Sequence, residues 1–546
     1  MTILSRAVSR LARLPAADAG GVRVERDLPV TMPDGVVLLA DRYVPAGRHG
    51  PPPLVLVRSP YGRRGVVGLL YARLIAERGF QVVVQSVRGT FGSGGRFDPF
   101  RSERDDGLAT VEWLKRQPWY PGSFGTFGPS YLGFVQWAIA RDAGPDLRAM
   151  AVQVTASQFR EQTYAGGAYS LDATLSWTHL TANQERRYDR ISRLLGAGRR
   201  LRPLLARLPL GDLDRLATGA SVRYYQEWLA HDRPGDEYWT GRGFDRTVAE
   251  VTAPVNMVGG WYDIFLPWQL RDYAALRAAG REPYLTIGPW AHGDGGLLAA
   301  GARESIAWLR AHLLGDRDGL RPAPVRIFVT GAGEWRDLPA WPPPGTRPER
   351  WLLQPGGGLA TTPPPPSEPD RYTYDPADPT PALAGPLLFG KAKPTDNRRL
   401  EARPDVLTYT SAPLDRDLDV AGEVTADLFV RSSLAHTDVF ARLCDVDPSG
   451  RSRNVCDALL RLAPGAPEAE PDGTVRARIE LWPTAHRFRA GHRVRLQVSS
   501  GAHPRYARNP GAGEPLATAT TLLTAEQAIW HDPDHPSAVV LPVAAG

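Results

Sequence analysis

Hydrophobic positions change their period along this chain, and the changes mark its parts. From Val22 to Pro45 the run VRVERDLPVTMPDGVVLLADRYVP alternates around Pro33-Asp34-Gly35, which predicts two strands joined by a tight turn. Alternation then gives way to unbroken apolar runs. LVLVRSPYG from Leu54 and QVVVQSVRG from Gln81 read as buried strands, with a helical LLYARLIAERG between them. Strand, helix, strand implies parallel pairing, because a parallel connection needs a long crossover.

The unit repeats. DDGLATVEWLKRQP predicts a helix ending before Pro118, SFGTFG a short strand, YLGFVQWAIARDAG a helix and MAVQV a further strand. From about Thr155 to Glu250 buried strands stop, and DRISRLLGAGRRLRPLLARLP and VRYYQEWLAHD look helical, as an inserted cap would. The strand signature returns in APVNMVGGWYD and EPYLTIGPWAHG, followed by the helical SIAWLRAHLLG. After a proline-rich linker at Trp341 to Pro344, short alternating strands such as EVTADLFVRS, VRARIELWP and HRVRLQVSS predict a β-sandwich of jelly-roll type. The expected organisation is α/β: a parallel-sheet core over 1–154 and 251–345, a helical cap over 155–250 and a jelly-roll domain over 346–546.

Composition narrows the function classes. With 546 residues, 42% apolar content and 48 aromatic side chains as 15 Trp, 18 Tyr and 15 Phe, the chain is globular and large enough for several domains. The net charge of +6 is spread among 59 acids without a basic stripe, so nucleic acid is not an expected partner. No run of 18 apolar residues predicts a membrane span, and the opening MTILSRAVSRLARLPAADAGG lacks the apolar core of a secretion signal; it reads as a short amphipathic extension, and the expected location is the cytoplasm. Only Cys444 and Cys456 are present, which excludes a disulfide framework. A hairpin centred near Gly450 would set the two sulfurs facing one another; reduced, packed thiols are the favoured state.

The chemistry concentrates at GPSYLG, Gly128 to Gly133, an element of the G-x-S-x-G kind between a strand and a helix. A serine hydroxyl is a poor nucleophile, so it needs an imidazole to take its proton and a carboxylate to fix the imidazole. Asp263 and His292 each follow an apolar strand, in the order Ser130, Asp263, His292 that this kind of fold uses. Asp272 and Asp294 are rivals for the acid, and the other histidines, such as His179, His312 and His486, are read as structural. Ser130 as a simple helix cap, and Asp263 as the cap of the following helix, are the competing readings. The backbone N–H of Tyr131 is one expected oxyanion donor, and the phenol of Tyr61, just past the Leu54 strand, is a candidate for the other. RGTFGSGG, Arg88 to Gly95, lacks the G-K-[ST] of a phosphate loop and reads as a tight turn at the sheet edge.

These segments together resemble the cocaine esterase and X-prolyl dipeptidyl-peptidase group of α/β-hydrolases. The matching stretches are PYG at Pro60, RGTFGSGG, DGLATVEWLKRQPW, GTFGPSYLGFVQW, GGWYDIF, GPWAHG and AGHRVRLQVSSGAHPRYARNP, in order over nearly the whole chain. The resemblance implies a serine hydrolase acting through an acyl-enzyme on a small-molecule ester or amide. It further implies Ser130, Asp263 and His292 as triad, Tyr61 and Tyr131 as oxyanion hole, and no metal or organic cofactor. Related α-amino-acid ester hydrolases carry extra carboxylates after the acid, where Phe265 and Leu266 stand here. That favours a carboxylesterase for neutral or aromatic acyl esters. X-prolyl dipeptidyl aminopeptidase action, with Asp232, Asp236 or Glu237 reading the substrate amine, is the alternative. From another class, the alternative is a non-catalytic carbohydrate-binding protein. Self-association is left open.

Overall fold

The computed structural model describes residues 1–47, 50–185, 200–465 and 469–544. Its contacts divide the chain into two compact units. The first holds chiefly Met1–Arg160 and Gly235–Val325; the second holds Glu161–Asn183, the described part of 191–234 and the chain from Arg326 onward.

The first unit is built on a sheet whose strands are β1 (Val22–Thr31), β2 (Val37–Pro45), β3 (Leu54–Ser59), β4 (Gln81–Ser86), β5 (Phe124–Pro129), β6 (Leu147–Gln153), β7 (Val255–Tyr262) and β8 (Tyr284–Ala291). They lie in the order β1-β2-β4-β3-β5-β6-β7-β8. β1, β2 and β4 pair antiparallel, while β3 to β8 are parallel neighbours. Every residue of β3, β4 and β7 is buried, which is why these segments read as unbroken apolar runs rather than alternations. The chain runs from β3 outward to β4 on one side and then returns to β5 on the other. The crevice at the carboxyl ends of β3 and β5 is therefore the switch point where open parallel sheets bind ligands. Helix Tyr131–Ala140 and helix Gly295–Leu313 pack on the strands that carry the candidate site.

The second unit contains the alternating strands expected for the carboxyl-terminal region. Leu418–Ser432 pairs antiparallel with Val475–Phe488, and Thr437–Val446 pairs antiparallel with both Ser452–Leu462 and Arg493–Ser499. Helices Leu171–Thr181 and Arg223–Ala230 from the insertion belong to this unit, joined by the stacked rings of Trp177 and Trp228 at 5.7 Å. The chain leading into the first of them packs closely within the same unit. A Cβ at Gly166 would lie 1.7 Å from the Leu459 carbonyl, and the Asp172 N–H donates to the Pro504 carbonyl at 3.0 Å. Of the helical segment expected from Asp189, residues up to 199 lie outside the described residues, and 200–205 are helical.

The cysteine hairpin forms, but its sulfurs do not sit opposite one another. A bulge between Leu443 and Cys444 pairs Leu443 with Cys456 and Cys444 with Asn454. Both thiols are free and buried, and burial pushes Cys444 up to about 12. Among the described residues no helix is long and apolar enough to cross a membrane.

One buried carboxyl in the insertion is costly. The Asp172 Oδ2 has no hydrogen-bond partner, and burial pushes the group up to about 7. Between its ordinary value and pH 7 the folded chain keeps a proton that the unfolded chain has lost, so this group's contribution to stability declines as pH rises through that window. Asp172→Asn removes the dependence. In melts followed from pH 4.5 to pH 8, the variant should gain about 2–4 kcal/mol on the wild type; parallel pH profiles for the two proteins would contradict the account.

Candidate active site

Five expected site residues follow the carboxyl ends of parallel strands in the first unit. Tyr61 lies two residues past β3, Ser130 and Tyr131 directly follow β5, Asp263 follows β7 and His292 follows β8.

Ser130 adopts φ 55°, ψ −125°, the backbone of a sharp strand-to-helix elbow that L residues seldom adopt. Its N–H donates to the Gln153 carbonyl at 2.9 Å, and its carbonyl accepts from the N–H groups of Gly133 (2.8 Å) and Phe134 (3.0 Å) and the hydroxyl of Thr155 (2.7 Å). The serine occupies the cap position of helix Tyr131–Ala140, yet its hydroxyl makes no capping bond. The simple capping reading therefore fails. The motif also needs correction: the second glycine stands three residues after the serine, not two, so the element is G-x-S-x-x-G. Close approach explains both glycines. A Cβ at Gly128 (φ 150°) would meet the Leu132 Cβ at 2.4 Å, and one at Gly133 would meet the Thr155 Cγ2 at 2.3 Å.

Asp263 and His292 meet directly. Asp263 is fully buried; its Oδ2 lies 2.6 Å from His292 Nδ1, and its Oδ1 accepts the Phe265 N–H at 2.8 Å. With the Nδ1 hydrogen held by the carboxylate, Nε2 is left as the acceptor. Asp263 also secures the turn before helix Leu266–Ala278 through the Phe265 N–H, but the cap position of that helix is Phe265, so the reading of Asp263 as its cap is not met. The rivals are engaged elsewhere: Asp272 accepts from the Ser157 N–H (2.8 Å) and hydroxyl (2.6 Å), and Asp294 accepts the Ala291 N–H at 3.1 Å. Among the other histidines, His486 and His492 share Asp445, and His531 bonds Asp370, as structural groups do.

Two supports were not apparent from the sequence. Tyr131 is buried, and its hydroxyl donates to Glu103 Oε1 at 2.7 Å while accepting the Phe100 N–H at 3.0 Å. Glu103 is in turn 2.9 Å from Arg58 Nη1 on β3, and Arg58 also donates to the Glu103 carbonyl at 2.7 Å and to Gln85 at 2.8 Å. Burial pushes the Glu103 carboxyl up despite the pull of Arg58. Burial, and then the adjacent Glu103, push the Tyr131 hydroxyl well above its ordinary value, so it remains a donor. Gly107 leaves room for the guanidinium, since a Cβ there would lie 2.9 Å from Arg58 Nη1. The second support is RGTFGSGG. Its Phe91 ring covers Gly62, where a Cβ would lie 2.9 Å away, and the Phe91 carbonyl accepts from Arg63 at 2.6 Å. The turn thus braces the loop that carries Tyr61, a role its glycine content alone did not reveal.

Aromatic rings surround the elbow and reach the base. Tyr131 stacks on Phe100 at 5.0 Å, Phe100 on Phe159 at 4.2 Å, Phe159 meets Phe265 at 4.8 Å, and Phe265 meets the His292 ring edge-on at 5.6 Å. Phe265 and Leu266, the two residues weighed against an amino-ester substrate, are both buried. Of the acids considered for amine recognition, Asp236 accepts the Tyr238 N–H at 2.8 Å, while Asp232 and Glu237 are exposed.

Comparison with known proteins agrees with this architecture. Residues 34–294 match the family model described as X-Pro dipeptidyl-peptidase (S15 family), and residues 319–540 match that of the X-Pro dipeptidyl-peptidase C-terminal non-catalytic domain. The chain is 32% identical to the cocaine esterase of Rhodococcus sp. (strain MB1 Bresler), over 96% of this chain and 99% of that one. Among solved structures it is similar to an α-amino acid ester hydrolase (TM-score 0.81, 23% identity, 97% and 98% of the two chains). An aminopeptidase from a marine sediment Thaumarchaeota archaeon has a TM-score of 0.78 at 23% identity, also over 97% and 98%.

Glu103→Gln leaves the Arg58 charge buried without its counter-ion, which should cost about 3–5 kcal/mol of stability. Tyr131→Phe strands the Phe100 N–H and one Glu103 oxygen, at about 1–3 kcal/mol. Both should lower ester turnover by about tenfold or more if the Tyr131 N–H is an oxyanion donor. Thermal unfolding and initial rates check this; a Glu103→Gln protein with unchanged melting would refute the linkage.

Proposed function

Because the chain belongs to the X-Pro dipeptidyl-peptidase (S15) family and is a serine hydrolase, we propose that Ser130, Asp263 and His292 are its catalytic triad, with Tyr61 and Tyr131 as the oxyanion hole. The observation that carries this reading is the 2.6 Å bond between His292 Nδ1 and the buried Asp263, at the same sheet rim as the strained Ser130. His292 Nε2 takes the Ser130 proton as Oγ attacks the acyl carbonyl. The tetrahedral oxyanion rests on the Tyr61 hydroxyl and the Tyr131 N–H, the protonated imidazole returns its proton to the departing alcohol, and water repeats the sequence on the acyl-enzyme. No residue of this scheme calls for a metal or organic cofactor.

The substrate we propose is a small ester with a neutral or aromatic acyl group. The ring series from Tyr131 to His292 supports it, as does the absence of acid at residues 265 and 266. Peptidase action on X-Pro substrates is the second reading, favoured by the description of the matched family. The engagement of Asp236 in its own turn and the exposure of Glu237 weigh against it. The carbohydrate-binding reading is set aside with the assignment as an enzyme. The four-part division of the chain and a cytoplasmic location remain part of the proposal; the two free thiols suit a reducing compartment.

A fluorophosphonate probe should label Ser130, and Ser130→Ala should abolish labelling and reduce turnover by about 10⁴-fold or more. Phenyl and nitrophenyl acyl esters should exceed Gly-Pro anilide in kcat/KM by at least about tenfold. Labelling elsewhere would overturn the nucleophile, and preference for the anilide would overturn the substrate class.

A further inference from the structure

The helix Ile3–Leu11 is mounted with its polar side inward. Ser5 is fully buried and Ser9 nearly so, while Ile3, Leu4 and Leu11 are 88%, 59% and 85% exposed. The inward face is held by specific bonds: Ser5 Oγ donates to Glu77 at 2.8 Å, and Arg78 Nη2 donates to Ser9 Oγ at 3.1 Å. Past the helix, Arg78 also donates to the Pro15 carbonyl at 2.8 Å and Arg303 to the Ala12 carbonyl at 2.6 Å. At 100° per residue, Ile3, Ala7, Leu11 and Leu4 form one continuous outward stripe, bordered by Arg6 and Arg10, with Arg13 just beyond. All three arginines are exposed, and among the described residues none is in an ion pair. The apolar surface continues beside the helix, where Val8, Leu11, Leu14, Leu70 and Leu74 line a cavity of about 230 Å³.

A folded protein that spends hydrogen bonds to hold a helix polar side down, with its apolar side in water, has built a contact surface. We propose that this helix docks the protein on an anionic lipid bilayer, lying in the plane of the interface with the Ile3–Leu11 stripe among the acyl chains and Arg6, Arg10 and Arg13 at the headgroups. Apolar stripe and flanking cations match that environment in both chemistry and geometry. A second copy of the chain fits less well, since symmetric pairing of the stripes would bring the two sets of arginines toward each other.

The full chain is tested by cosedimentation with vesicles of phosphatidylcholine containing phosphatidylglycerol and with vesicles of phosphatidylcholine alone, at low and high salt. Binding is expected to the anionic vesicles only and to weaken with salt. It should fall about fivefold for each single Arg6→Gln, Arg10→Gln or Arg13→Gln change and disappear in an Ile3→Ser, Leu11→Ser double variant. Because these side chains are exposed and none belongs to the proposed triad or oxyanion hole, ester hydrolysis in solution should be unchanged. No sedimentation with anionic vesicles overturns the proposal, as does equal sedimentation of the double variant. A wild-type oligomer that ignores vesicles and dissociates on Leu11→Ser overturns it in favour of self-association.

Discussion

At Ser130 the backbone is turned to φ 55°, ψ −125°, a conformation that costs on the order of 1–3 kcal/mol for a residue with a side chain. It persists because its surroundings allow nothing else. The Gln153 carbonyl fixes the amide, three donors converge on the carbonyl, and glycines on both sides let the turn close against Leu132 and Thr155. One residue on, the buried Tyr131 hydroxyl is tied through Glu103 to Arg58 on the neighbouring strand. A strained serine can be held only by a rigid frame, and a buried ion pair supplies direction that an apolar contact would not. The same pair carries a risk, since loss of either partner leaves a charge without solvent.

Electrostatics at the rim are set by separation. Asp263 is fully buried and bonded to one imidazole, whose ring meets Phe265 edge-on. The ring series from Tyr131 to His292 contains no acidic side chain.

The parallel strands were legible in the sequence because burial on both faces writes itself as uninterrupted Val, Ile and Leu, and the placement of Ser130, Asp263 and His292 at one sheet rim was legible because each follows such a run. The supports were not. Glu103 and Arg58 are charged residues, one on a helix and one ending a strand, and nothing in their spacing tells a solvated pair from a buried one. The helix Ile3–Leu11 showed its amphipathic period but not which side faces the protein, since periodicity has no sign. The cysteine register differs from the expectation because the turn centres one residue earlier than Gly450, with Val446 opposite Ser452, which sets Cys444 against Asn454 before the bulge is reached. The close packing of Gly166 beneath Leu459 was equally invisible, because residues far apart along the chain leave no local pattern when they touch.

That last contact bears on how such a protein can be altered by recombination. The chain passes from the first unit to the second at Glu161, returns by Gly235 and leaves again at Arg326, so each unit is written in more than one stretch. A gene fusion or deletion with a single joint cannot transplant either unit whole, and removal of the carboxyl-terminal strands would uncover Gly166, which packs against the Leu459 carbonyl. Inheritance of the two units is thereby coupled: they can diverge residue by residue, but they cannot readily be exchanged as modules.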